Sequence, residues 1–203
     1  ADEVMSAETT ASELHLRGAG SHFQIITQAP ADFPPVPTME GEPDFTIENG
    51  LLQRMIEWTV FAAARESTRY AINGVLWEVS GKELVMAATD GRRLSVAKGK
   101  LGSCRSKSLP SVIVPGKALS LFNRLGGDAD AAVAVKVTSN QMLLRVGRAV
   151  ISTSLVEGHF PKYQDVIPAD CDRTVELNTA EFHSALKRAA LLTNEESKGV
   201  RLA

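Results

Sequence analysis

Apolar and polar residues change period several times along this chain, and each change marks an element. Residues 13–27, ELHLRGAGSHFQIIT, hold two short alternating runs parted by Gly18, Ala19, Gly20 and Ser21, which predicts a β-hairpin. APADFPPVPTMEGEP follows, with five prolines from Pro30 to Pro43. Their fixed φ and missing donors predict a linker or edge segment, with a domain boundary near Pro37–Pro43. Past Asp44 a strand-like FTI leads into LLQRMIEWTVFAAAR, where Leu52, Met55, Ile56, Thr59, Ala62 and Ala63 recur at helical spacing. Gln53, Arg54, Glu57, Ala64 and Arg65 fall on the opposite side of that predicted helix. YAINGVLWEV and ELVMAAT then read as strands.

The pattern starts again at SVIV. Pro115 stands where a helix can begin, KALSLFNRL puts Ala118, Leu121, Phe122 and Leu125 on one side, and Gly126-Gly127 ends the helix. AAVAVKV, QMLLRV and AVISTSL follow as strands, so a unit of strand, helix and three strands occurs twice between Phe45 and Leu155. A third copy opens near the end. Setting Val175 under Phe45 aligns Leu186 with Ile56 and Glu196-Ser197 with Glu66-Ser67, an offset of 130 residues. Phe33-Pro34 and Phe160-Pro161, 127 residues apart, give nearly the same period. The chain therefore reads as an α+β tandem array with a repeat of about 130 residues.

Net charge is −2, from 22 Lys plus Arg against 24 Asp plus Glu, so no global charge announces a nucleic-acid or membrane partner. No apolar run approaches the roughly 18 residues of a membrane span, and no signal peptide is seen. Cys104 and Cys171 have no paired spacing, which fits a reducing compartment, and the expectation is a cytoplasmic protein without metal or cofactor. His15, His22, His159 and His183 are scattered. No phosphate loop, nucleophile elbow or zinc motif is present, so an enzyme is not expected.

Two local patterns remain. ATDGRRLS, Ala88 to Ser95, sets a carboxylate, a glycine and two arginines directly after an apolar run. By itself it fits a catalytic Asp, a phosphate clamp, a plain turn in which Asp90 caps amides beside Gly91, or the rim of a docking groove. The helices form the second pattern. Across Leu51–Arg65, Lys117–Leu125 and Ala180–Ala190 there are six bases, Arg54, Arg65, Lys117, Arg124, Lys187 and Arg188, against Glu57 and Glu181. Basic helices in a slightly acidic chain fit either solvated faces or a surface that meets phosphates.

ATDGRRL, VIVPGKAL, STSLVEGHFPKYQDVIP and RAALLTNEESKGVRL are similar, in this order and spacing, to the bacterial DNA polymerase III beta subunit, the replicative sliding clamp. The resemblance covers nearly the whole chain. It implies the DNA clamp fold, with helices on one face and antiparallel sheets outside, in three similar domains that close as a head-to-tail homodimer around duplex DNA. Residues 1–40 would be the end of the first domain, 41–170 the complete middle domain, and 171–203 the start of the third. The resemblance puts Arg54, Arg65, Arg69, Tyr70, Lys117, Arg124, Lys187 and Arg188 at the DNA channel. It assigns Ile72, Thr89, Gly91, Arg92, Arg93, Leu94, Pro161 and Val166 to a pocket for short peptides of the polymerase III alpha subunit, the clamp loader and other partners. Gly116 stands where the family often has a base, Arg92 where it commonly has a histidine, and Asp165 where it commonly has a base. The implied function is a non-catalytic processivity factor. The alternative is a peptide-binding adaptor that never encircles DNA.

Overall fold

The expected hairpin forms from the alternating runs: β2 (Glu13–Gly18) pairs antiparallel with β3 (Ser21–Ile26), Gly18 opposite Ser21. A further strand, β1 (Ser6–Thr9), adds to the edge of β2. The structure is a computed structural model that describes residues 4–33, 37–64, 71–105, 109–168, 171, 173–193 and 199–200. The proline-rich segment holds one 3-10 turn, Pro30–Asp32.

The next residues build two antiparallel sheets and two helices. In chain order these are β4 (Phe45–Glu48), α1 (Asn49–Thr59), β5 (Gly74–Ser80), β6 (Glu83–Thr89), β7 (Leu94–Lys100), β8 (Ser103–Cys104), β9 (Val112–Pro115), α2 (Gly116–Leu125), β10 (Ala132–Val137), β11 (Gln141–Val146) and β12 (Ala149–Ser154). One sheet runs β12-β11-β10-β4-β8 and the other β7-β6-β5-β9. The α+β expectation and the doubled unit of strand, helix and three strands hold, with the two-residue β8 added between the copies. The copies exchange their leading strands. β4 of the first pairs with β10 of the second, Phe45 opposite Val135, and β9 of the second pairs with β5 of the first, Val114 opposite Val75.

Both sheets and both helices share one core, in which Phe45, Met55, Trp77, Met86, Phe122 and Leu144 are among the largest buried side chains. Helix α1 buries Leu52, Met55, Ile56 and Thr59, the face its spacing predicts. The Thr59 hydroxyl is satisfied by donating to Met55 O at 2.7 Å. Gly99 of β7 lies directly beneath α1, where a Cβ would stand 2.4 Å from Met55 Sδ, so a side chain there would force the buried Met55 side chain to shift. Two asparagines tie the helices together. Asn123 Nδ2 of α2 donates to Gln53 O of α1 at 3.2 Å, and buried Asn49 Nδ2 donates to Asp128 O at 2.9 Å beyond the end of α2.

Three expectations need correction. The first helix does not run to Arg65: α1 stops at Thr59, a 3-10 turn follows at Val60–Ala62, and Ala64 N donates to Ile72 O. That bond draws the chain into extended backbone, and Arg65 lies outside the described residues. In α2 the buried positions are Leu119 and Phe122, while Leu121 is 50% and Leu125 44% exposed. Adjacent helical residues sit about 100° apart, and α2 is rotated by the neighbours it packs against, not by its own sequence. The third copy forms its helix, α3 (Thr179–Ala190), with Asn178 accepting from Ala180 N and Glu181 N. The residues matching β4 there, Val175 to Leu177, form no strand. A strand needs a partner edge, and among the described residues none pairs with this one.

The chain divides into two compact units, residues 1–161 and 162–203, the second holding a 3-10 turn at Tyr163–Val166 and α3. Among the described residues no helix is long and apolar enough to cross a membrane.

The rotation of α2 is open to a direct check. Leu119→Ala should cost about 2–5 kcal/mol, the usual range for a core Leu, and Leu121→Ala less than about 1 kcal/mol. Urea unfolding of the two variants measures both, and a larger loss at Leu121 would restore the face read from spacing.

Candidate functional site

ATDGRRLS forms the loop between β6 and β7, closed by the Thr89–Leu94 pair. Gly91 has φ 85°, a left-handed conformation that favours glycine, and this lets the chain reverse directly after Asp90. Asp90 Oδ1 accepts from Arg92 N at 3.0 Å and Arg93 N at 3.1 Å. The Thr89 hydroxyl accepts from Gly91 N at 3.1 Å and donates to Arg93 O at 2.7 Å. Asp90 is thus a turn-capping residue, one of the roles its sequence allowed, and Thr89 turns its hydroxyl into the loop. The Arg92 amide, opposed by desolvation and helped by the Arg93 amide and guanidinium, holds the Asp90 carboxyl below its usual pKa.

The loop is also tied to the end of α1. Arg93 Nε donates to Asp90 Oδ2 at 3.0 Å and its Nη2 to Phe61 O at 2.8 Å, with the guanidinium 5.4 Å from the centre of the Phe61 ring. Ser95 Oγ donates to Trp58 O. Carbonyls at a helix C-terminus lack intrahelical partners, and a cation there also interacts favourably with the negative end of the helix dipole. Sequence reasoning missed Trp58, Phe61 and Ser95 because 32 or more positions separate the partners. The available sign was that Trp58 and Phe61, 52% and 55% exposed, are large apolar residues off the buried stripe of α1.

Of the residues assigned to the peptide pocket, the hairpin brings Thr89, Gly91, Arg92, Arg93 and Leu94 together. Gly91 and Arg92 are exposed, Leu94 is half-buried, and the Arg92 side chain has no partner among the described residues. Ile72 is only 6% exposed, so it presents little surface to a ligand. Ala71 N donates to His159 O at 3.4 Å, which sets the chain leading to half-buried Pro161 beside that leading to Ile72. Val166 is 70% exposed in the second unit.

Of the residues assigned to the channel, Arg54 is exposed on the side of α1 away from the core, and Lys117 and Arg124 are exposed on α2. Lys117 and Arg124 line one groove of about 950 Å³ with Val60, Ala63, Ala64, Asn73, Pro115, Gly116, Ser120, Leu121 and Val156, a lining that among the described residues holds two cations and no acid. Lys187 and Arg188 are exposed on α3, Arg188 Nη1 donating to Ser184 Oγ at 2.8 Å. Arg65, Arg69 and Tyr70 lie outside the described residues. His15 stacks on His22 across the hairpin, with Nδ1 of the first 3.1 Å from Nε2 of the second. No group of three His, Cys, Asp or Glu among the described residues could hold a metal ion.

The depressed Asp90 pKa predicts an acid-dependent contribution. A carboxylate whose folded pKa lies below its unfolded value, about 3.9, stabilises above that pH, and the contribution is lost as pH falls through the folded value. Asp90→Asn keeps an acceptor for the amides but not the charge. Wild type should melt higher than Asp90→Asn at neutral pH, and the gap should close well below about pH 3.9. Thermal unfolding over this range measures it, and a gap that persists in acid would remove the charge from the account.

Residues 46–162 match the family model of the DNA polymerase III beta subunit, central domain. The beta sliding clamp of Escherichia coli K12 is 38% identical to this chain over 189 residues, 92% of this chain and 50% of its own length. A Bacillus subtilis DNA polymerase sliding clamp of known structure matches with TM-score 0.86 at 30% identity, covering 95% of this chain and 50% of that one. A Pseudomonas aeruginosa clamp solved with griselimycin bound matches with TM-score 0.84 at 31% identity, over 97% and 53%. The chain spans about half the length of the curated relatives it matches. With the strand-exchanged repeat and the turn motif already in place, these matches decide the family: the chain belongs to the DNA polymerase III beta subunits, the sliding clamps.

Proposed function

We propose that this chain is part of a non-catalytic processivity factor, a ring-forming sliding clamp that encircles duplex DNA and tethers its polymerase through a peptide pocket at the β6–β7 turn. Under this reading residues 1–40 end a first clamp domain, 41–170 form the middle domain and 171–203 begin a third, and the complete protein closes as a homodimer. It works in the cytoplasm, where the DNA is. The observation that carries the reading is the sign of the helices. Exposed Arg54, Lys117 and Arg124 stand on α1 and α2 of a chain whose acids outnumber its bases. Long flexible cations facing a polyanion exchange for its counterions without reading base edges, so contact is independent of sequence and sensitive to salt. A ring needs no tighter grip than this, because topology rather than affinity keeps it on DNA. Lys187 and Arg188 of α3, with Arg65, Arg69 and Tyr70, complete the proposed channel set.

At the pocket, Leu94 and Pro161 offer apolar area, Arg92 supplies a cation for a carbonyl or acidic residue, and Ile72 and Val166 complete the proposed set. The partners proposed are the polymerase III alpha subunit, the clamp loader and other clamp-binding proteins, each presenting a short peptide with aliphatic or aromatic anchors.

Arg54→Glu, Lys117→Glu and Arg124→Glu combined in the complete protein should impair retention on circular DNA. They should also flatten the dependence of binding on log salt by roughly one unit per lost phosphate contact. Undiminished retention by a ring-competent variant would remove these helices from the channel. At the pocket, Leu94→Ala should weaken a polymerase-derived peptide about tenfold, since burying one large apolar group contributes roughly 1.5–3 kcal/mol before ordering costs. Asp165→Ala should have a smaller effect. Calorimetric titration that gave wild-type affinity for Leu94→Ala would move the groove away from this turn.

A further inference from the structure

The family resemblance gives Arg92 and Arg93 the same place on the pocket rim, and their environments differ. Arg93 uses its planar fork in two directions at once, with Nε on Asp90 Oδ2 at 3.0 Å and Nη2 on Phe61 O at 2.8 Å, while its face lies 5.4 Å from the Phe61 ring centre. Turning it toward a ligand would strip Asp90 of its ion pair and Phe61 O of this donor. The Arg92 backbone is held by Asp90, but its side chain is exposed and has no partner among the described residues.

The clasp around α1 has a second point. Ser95 holds Trp58 O and Arg93 holds Phe61 O, so two residues of the turn grip the chain on either side of the switch from α-helix to 3-10 turn at Val60–Ala62. Two residues beyond Phe61, Ala63 and then Ala64 enter the wall of the cationic groove, and Ala64 N bonds Ile72 O. The backbone that Arg93 fixes, Phe61 to Ala64, therefore reaches buried Ile72 through the Ala64 N–Ile72 O bond.

We propose that the two arginines have separate tasks: Arg93 is a positioning residue that acts through Phe61 to hold the end of α1 against the turn, and Arg92 is the cation that meets a docked peptide. The Arg92 half rests on the peptide reading above. The Arg93 half rests on the clasp alone. Arg93 improves peptide binding by fixing the Phe61–Ala64 backbone that bonds Ile72, and it does so without touching the ligand.

The test uses the complete protein, a polymerase-derived peptide with aliphatic and aromatic anchors, and the emission of Trp58 isolated by subtracting the Trp58→Phe variant. Arg93→Ala should shift Trp58 emission without peptide and lower peptide affinity about tenfold, the scale of one charge-assisted hydrogen bond. Phe61→Leu, which removes the ring but keeps the Phe61 O acceptor, should reproduce only part of the affinity loss, and the double variant should bind no more weakly than Arg93→Ala, because both act through one contact. Arg93→Lys, which keeps one of the two bonds, should recover part of both readouts and serves in place of Arg93→Ala if that variant does not fold. Arg92→Ala should lower affinity and leave Trp58 emission unchanged. An unchanged emission in Arg93→Ala, or an affinity loss that adds to that of Phe61→Leu, would overturn the positioning role. Wild-type affinity in Arg92→Ala would overturn the other half. If the wild-type protein fails to bind the peptide at all, the pocket reading falls with the Arg92 assignment, and the emission of Arg93→Ala still decides the clasp.

Discussion

The exchange of leading strands between the two repeats is the constraint from which the other features follow. β4 is needed by β10 and β9 is needed by β5, so neither copy can complete a sheet with its own strands. Phe45 and Val135 face each other across 90 residues of sequence, which puts pairings of high sequence separation at the centre of the core. Such contacts form only after large loops close, and their loss opens both sheets together. The exchange also decides where α1 goes. The helix leaves β4 in one sheet and lies on β7 of the other, with Gly99 stripped of any side chain beneath Met55.

Because α1 crosses between sheets, its C-terminal end arrives at the β6–β7 turn, and the polar chemistry of ATDGRRLS is largely spent there. Within the loop, Asp90 and Thr89 hold the reversed backbone. Outward from it, Arg93 and Ser95 satisfy Phe61 O and Trp58 O, two carbonyls a helix ending would otherwise leave to solvent. Four of the five polar side chains in a stretch that suggests catalysis or ligand binding are therefore structural. Arg92 is the exception, exposed and unpartnered among the described residues.

Much of this was legible in the residues and some was not, for identifiable reasons. The stripe Leu52, Met55, Ile56 and Thr59 was readable because spacing and burial agree along α1. The Asp90-Gly91 turn was readable because its bonds span three residues or fewer. The rotation of α2 was not, since Leu119-Phe122 and Leu121-Leu125 both keep helical spacing and only the neighbouring elements choose between them. β1 was hidden because SAET shows no apolar alternation and forms by adding to an existing edge. Val175 repeats the position of Phe45 without repeating its structure, which shows that the β4 strand is made by its partner β10 as much as by its own residues. Ile72 is placed in the pocket by resemblance alone, and the structure buries it to 6% exposure, which its own sequence context did not reveal. Arg93 and Phe61 were invisible as a pair because they stand 32 positions apart and no local pattern encodes their approach.

The two surfaces proposed for this chain ask opposite things of their side chains, and the fold supplies both. Sliding on phosphates calls for cations that are held loosely, since each exposed ion pair contributes about 0–1 kcal/mol and a stronger grip would stall movement. Arg54, Lys117 and Arg124 meet that demand by standing on the outer sides of helices whose inner sides, through Leu52, Met55, Leu119 and Phe122, are locked into one core. A peptide pocket calls for the reverse, a fixed outline that spends little free energy on ordering when the ligand arrives. The turn meets that demand by using its polar groups on itself and on α1. Rigidity at the turn and looseness at the helix surface thus share one source: the helix that bears Arg54 is the helix that Arg93 and Ser95 fasten.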